Sequence, residues 1–111
     1  MREISWIGAA RKEFDGFPDT VREQVRYSLD VVAFGRHPDT AKPLKGFVEG
    51  VFEISVSFRK DTWRTAYAVK LGEQIWVIHA FQKKSTRGIR TPKHEIELIR
   101  QRIKRLKELL K

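Results

Sequence analysis

"VFEISVSFRKDTWRTAYAVKLGEQIWVIHAFQKK", residues 51–84, is the stretch whose periodicity decides the fold. In 51–58, Phe52, Ile54, Val56 and Phe58 alternate with Glu53, Ser55 and Ser57, the period-2 pattern of a strand with one buried face. Residues 62–70 alternate as well, with Trp63, Thr65, Tyr67 and Val69 on one side and Arg64, Ala66, Ala68 and Lys70 on the other. Residues 75–81 are apolar on both faces except at His79, which suits a central strand covered from both sides. Arg59-Lys60-Asp61 and Leu71-Gly72-Glu73 are connections short enough to imply antiparallel hairpins.

Outward from this meander the chain turns helical. On the N-terminal side, Glu3–Ile7 reads as a short strand, and Ala9–Phe14 as a short helix after Gly8. Val21, Val25, Leu29 and Val32 recur at helical spacing, so residues 19–34 are predicted as an amphipathic helix opened by Pro18 and ended by Gly35. Residues 36–50 contain His37-Pro38, Lys42-Pro43, Gly46 and Gly50, and read as a loop that is long for a compact domain. On the C-terminal side, Thr91-Pro92 opens a helix with the stripe Ile96, Ile99, Ile103, Leu106 and Leu110. The expected order is β-α-α-β-β-β-α in one domain spanning residues 1–111. With helices and meander strands segregated, the class is α+β.

Charge is distributed unevenly over this plan. The net charge is +9. Residues 83–111 hold eleven Lys and Arg against three Glu, whereas residues 1–82 hold twelve basic against eleven acidic side chains. A basic region so concentrated suggests a polyanion or an acidic protein as partner. There is no cysteine, which excludes disulfides and thiolate metal sites. No apolar run approaches the ~18 residues of a membrane span, and no signal-peptide pattern opens the chain, so a cytoplasmic location is expected.

His37, His79 and His94 are far apart in sequence and form no i,i+4 pair, so no metal and no cofactor is expected. Nor is there a phosphate-cradling glycine loop or a nucleophile elbow. Glu53 is the best-placed strand acid, but no second carboxylate faces it at the level of the pattern. Cations near strand ends remain. RNA can be cleaved without a metal when its own 2′-hydroxyl attacks the adjacent phosphate, and Arg and Lys are suited to neutralising the charge that develops there. Arg64 alternates away from Trp63 and Tyr67, beside the small Ala66 and Ala68. It either has room to meet a ligand or pairs with Glu53 across the hairpin. Lys83 and Lys84 would meet the same surface or merely solubilise a loop, and Lys45 beside Gly46 is a weaker candidate. Tyr67 is expected in the core and His79 as a satisfied core histidine.

The ordered set of Trp6, Pro43-Leu44-Lys45-Gly46, Trp-Arg-x-x-Tyr at 63–67, His-Ala-Phe-x-Lys-Lys at 79–84 and Thr-Pro-x-x-Glu-Ile at 91–96 resembles the RelE/ParE superfamily of bacterial toxins, in particular its HigB-like, phage-derived branch. The resemblance implies a small twisted antiparallel sheet flanked by helices. It implies a ribosome-dependent mRNA endonuclease, the toxin of a type II toxin–antitoxin pair, with a helix-turn-helix antitoxin, the ribosome and mRNA as partners. Arg64 stands where RelE-type nucleases keep a catalytic arginine, and Lys83 and Lys84 stand in the strand-end region that holds further cations. Lys45, Arg87, Arg90, Lys93, Arg100 and Lys104 are the expected RNA contacts. The superfamily also contains gyrase poisons that cut no RNA, and a non-toxic RNA-binding phage accessory protein is a further alternative. The segment between Lys84 and Pro92 is longer than in many relatives. The last helix lacks the tyrosine some of them carry, which leaves the general base and acid unassigned.

Overall fold

The computed structural model describes residues 1–84 and 90–111. The elements are β1 (Ile4–Trp6), α1 (Gly8–Asp15), α2 (Asp19–Ala33), β2 (Ala41–Pro43), β3 (Val51–Phe58), β4 (Asp61–Leu71), β5 (Gln74–Lys83) and α3 (Lys93–Leu109). The α+β reading and the three-stranded meander hold, with two changes. The sheet is mixed, because β1 pairs parallel with β5 at Ile4↔Ile75 to Trp6↔Val77. The region read as a loop contributes β2, which pairs antiparallel with β3 at Lys42↔Glu53. Three residues ending in Pro43 carry too little β signal to be read locally, and only pairing with β3 makes them a strand. The resulting order is β1-β5-β4-β3-β2.

Each sheet face has its own core. Phe14, Val21, Val25 and Leu29 of α1 and α2 pack on Ile54, Val56, Tyr67 and Val77. On the opposite face, Ile99, Ile103 and Leu106 of α3 pack on Val51, Ala66, Ala68 and Ile78. The small Ala66 and Ala68 therefore admit a helix, which corrects the expectation of open ligand space above them. It also makes β3 and β4 covered on both sides, and Glu53, expected on an exposed polar face, is buried. Among the described residues, no helix is long and apolar enough to cross a membrane.

Local irregularities interrupt the meander, among them a strained turn and a bulge. The β3–β4 turn places Arg59 at φ 51° and Lys60 at φ 71°, a conformation L-residues adopt at some cost and that Asn-Gly would adopt more readily. In β5 the register against β4 slips between Ala66 and Tyr67, whose partners are His79 and Val77. The extra residue is Ile78. It packs in the α3-side core, while the adjacent His79 bonds to Glu95 of α3, so two consecutive side chains turn to one face.

Truncating Ile99, which is fully buried under α3, to alanine should destabilise the protein by about 2–5 kcal/mol, read as a lower urea midpoint. Leu109→Ala, at an exposed position of the same helix, should change stability by less than about 0.5 kcal/mol. Equal effects would contradict the packing of α3 on the sheet.

Candidate active site

At the C-terminal end of β5, where the strand leaves the core and α3 begins, a cleft of about 340 Å³ is lined by Gln82, Lys83, Lys84, Arg90 and His94, with Phe81, Thr91, Pro92 and Glu95 completing its wall. Lys83 and Lys84, expected at one site with Arg64, line this cleft together with Arg90. Lys93 is exposed at the start of α3 beside them. Arg87 lies outside the described residues.

Arg64 lies beneath this rim rather than on it, at only 6% exposure. Its Nη1 is 3.2 Å from Glu53 Oε1 and donates to Thr91 Oγ1 at 3.1 Å. Thr91 Oγ1 donates in turn to the Glu53 carboxylate, 2.9 Å from either oxygen. The pairing of Arg64 with Glu53 is therefore the realised alternative. It is diagonal, since Arg64 stands opposite Ser55 in the ladder. Burial pushes the Glu53 carboxyl up, against the opposing effects of the Thr91 hydrogen bond and the Arg64 charge. A charge pair this buried is costly to break, because either partner alone would be an uncompensated buried ion. Here it ties the residue preceding Pro92 and α3 to the middle of the sheet.

A second buried cluster lies alongside. β1 covers β5 only as far as Val77, so the next strand atoms lack a neighbouring strand. Side chains replace it. Glu13 Oε1 on α1 accepts the Ala80 N–H at 3.2 Å, and Arg102 Nη1 on α3 donates to the Ile78 carbonyl at 3.0 Å. Arg102 also clasps both Glu13 oxygens, at 2.8 and 2.9 Å. Between them His79 sits with Nδ1 3.1 Å from Glu13 Oε1 and Nε2 2.8 Å from Glu95 Oε1, its ring stacked on Phe81. His79 is the satisfied core histidine expected. Burial alone would lower its pKa, but the two carboxylates outweigh that and raise it. For Glu13, burial would raise the carboxyl, but hydrogen bonds from His79, Arg102 and the Ala80 amide hold it at about 2. Tyr67 is buried in the α1/α2-side core, as expected, and burial pushes its hydroxyl to about 12.

The remaining expected RNA contacts lie elsewhere. Lys83 pairs with Thr62 and Thr62 with Ser57, at one end of β3. Lys45 follows Leu44, whose N–H bonds the Val51 carbonyl at the other end, about 20 Å away at the rise of a strand. Arg100 lies 4.6 Å over the Phe47 ring, and together with Lys104 and Lys107 it lines a groove between α3 and the β2–β3 connection. The cations therefore form two groups, one at the β5 end and one along α3.

Pattern reading missed Glu13, Glu95 and Arg102. A signal was available: Glu95, Ile99, Arg102, Ile103 and Leu106 follow i, i+4, i+7, i+8, i+11, so two charges lie on the apolar stripe of α3.

A five-stranded mixed sheet with two helices on one face and a C-terminal helix on the other is the RelE toxin fold. The free-state structure of a mutant Escherichia coli RelE toxin matches it with a TM-score of 0.60 at 21% identity, over 94% of this chain and 96% of that one. The isolated E. coli RelE toxin matches at 0.57 and 22% identity over 91% and 98%. The toxin in the intact E. coli RelBE toxin–antitoxin complex matches at 0.55 and 24% over 78% and 100%. No curated protein matches at the level of sequence. The family model "Phage derived protein Gp49-like (DUF891)" matches residues 12–104, and the chain belongs to that family.

The buried cluster makes stability depend on pH with a definite sign. Glu13 contributes stability that is present above its ordinary 4.5 and lost as pH falls toward about 2. His79, raised above its ordinary 6.5, contributes stability that is full below 6.5 and lost as pH rises through its elevated value. The stability difference between wild type and His79→Gln, measured by urea titration, should therefore be largest near pH 5–6 and shrink toward pH 9. A difference independent of pH would contradict the bridging role of His79.

Proposed function

We propose that this protein is the toxin of a type II toxin–antitoxin pair and that it cleaves mRNA on the ribosome. The observation that carries the proposal is the convergence of Lys83, Lys84 and Arg90 on one cleft above the buried Arg64. The RelE fold and Gp49-like membership support the toxin reading. The solved RelBE toxin–antitoxin complex supports a cognate antitoxin as partner. We take that antitoxin to be a helix-turn-helix protein, and the site of action to be the cytoplasm.

In this reading Lys83 and Lys84 meet the scissile phosphate directly. Arg64 adds positive charge from below and touches the phosphate only when Thr91 yields its place. Arg90 and Lys93 guide the message into the cleft, while Lys45, Arg100 and Lys104 bind ribosomal RNA phosphates on a separate surface. The reaction needs no cofactor.

Induced expression followed by 5′-end mapping of cellular mRNA should show codon-phased cuts. Lys84→Ala should weaken them about 100-fold, the scale of losing one charge-stabilising donor. Growth arrest with intact mRNA and broken or mis-supercoiled DNA would favour a gyrase poison instead. No arrest at all would rule out a toxin. Ribosome binding should weaken steeply with salt, and Arg100→Ala and Lys104→Ala should each reduce the log–log slope by about 1. Salt-independent binding would contradict phosphate docking by α3.

A further inference from the structure

Cleavage of RNA by its own 2′-hydroxyl needs a group that takes the hydroxyl proton, and a lysine or arginine kept in its charged form has no lone pair to offer. Among the described side chains lining the cleft, His94 and Glu95 are the imidazole and the carboxyl group, whose basic forms carry a lone pair that can take a proton. Glu95 is engaged elsewhere: its Oε1 lies 2.8 Å from His79, and its side chain is only 14% exposed. His94 is 79% exposed on the first turn of α3, and its Nε2 lies 3.8 Å from the second oxygen of Glu95.

We infer that His94 is the general base of this site and that Glu95, anchored on His79, is its positioning residue. The inference rests on the RNA-cleaving reading above and supplies the group that reading leaves unassigned. The substrate class it defines is a ribonucleotide linkage, since DNA lacks the hydroxyl. The neutral imidazole of His94 takes the 2′-hydroxyl proton as the O2′–P bond forms. The P–O5′ bond breaks with its electron pair on O5′, which is protonated by a lysine ammonium of the cleft. The products are a 2′,3′-cyclic phosphate and a 5′-hydroxyl. The imidazolium and the lysine amine then exchange protons with water, so the net transfer is one proton from O2′ to O5′. Glu95 links the exposed ring to the Glu13–Arg102 cluster through His79, so the fold that holds β5 and α3 together also sets the start of α3 at the cleft.

The test is single-turnover cleavage of a short mRNA on programmed ribosomes by wild type, His94→Ala and His94→Gln, with melting curves run in parallel. Both variants should fold normally, because the side chain is exposed, and should bind ribosomes as wild type does. Both should cleave about 100-fold or more slowly. Added imidazole should restore part of the His94→Ala rate. The wild-type rate should rise with pH, as general-base catalysis requires, and that limb should vanish in both variants. Wild-type cleavage matched by both variants would overturn the inference while leaving the RNA-cleaving reading intact. A loss that imidazole does not restore, with the pH limb retained, would also overturn it by making His94 a docking residue. A wild type that cuts no RNA would remove the RNA-cleaving reading itself.

Discussion

The cluster of Glu13, His79, Glu95 and Arg102 is the constraint on which the rest of the arrangement depends. β5 contributes to both cores, yet its neighbour β1 ends at Val77. An unpaired amide and carbonyl in the half-buried continuation of that strand would each cost a lost hydrogen bond. Glu13 and Arg102 satisfy them from opposite sides. Doing so brings two charges to the partly buried edge of the core, where they clasp each other and His79. The histidine can be satisfied in either protonation state. As an imidazolium it donates to both carboxylates, and as a neutral ring it keeps its bond to Glu95 and accepts from Arg102. One cluster therefore joins the first helix, the central strand and the last helix.

This division of labour explains how the last helix can be so basic and still dock. Its inner face is neutralised locally. Arg102 is matched by Glu13, Glu95 by His79, and Lys107 by Glu49 at 2.8 Å. Lys93, Lys104 and Arg105 occupy the exposed face. The β5-end cations and the Arg100, Lys104 and Lys107 group follow one another along α3, which suits contact with an extended polyanion better than with a small anion.

Much of the fold was legible because period-2 and 3.6 patterns report burial directly. The assignment of Trp63, Thr65 and Tyr67 to one face and Arg64, Ala66 and Ala68 to the other was correct to the residue. What the pattern could not supply was which element covers each face. Ala66 and Ala68 look alike whether a helix or a ligand lies above them, and the helix decided that Arg64 would be buried. β2 was illegible because a three-residue strand ending in proline is created by its partner. The site divided the same way. Lys83 and Lys84 were readable as neighbours at a strand end, whereas Lys45 was adjacent only in charge. Glu13 escaped because no local period links the first helix to the last, whereas Glu95 and Arg102 did carry a signal, as charges on the apolar stripe of α3. The bulge at Ile78 added to the difficulty, since strict alternation would have sent His79 to the other face.

The short outer strands have a consequence for how this molecule meets others. β1 and β2 are each three residues long, and β2 ends in a proline that has no amide to donate. Beyond β1 the Ile78 carbonyl and the Ala80 amide of β5 are already taken by a guanidinium and a carboxylate. A foreign strand seeking to extend the sheet at either outer strand would find a run of only a few groups, too brief to hold it. Recognition at these borders is thus left to side chains, which vary in evolution more freely than backbone does. A family built on this frame can change its partners without changing its architecture.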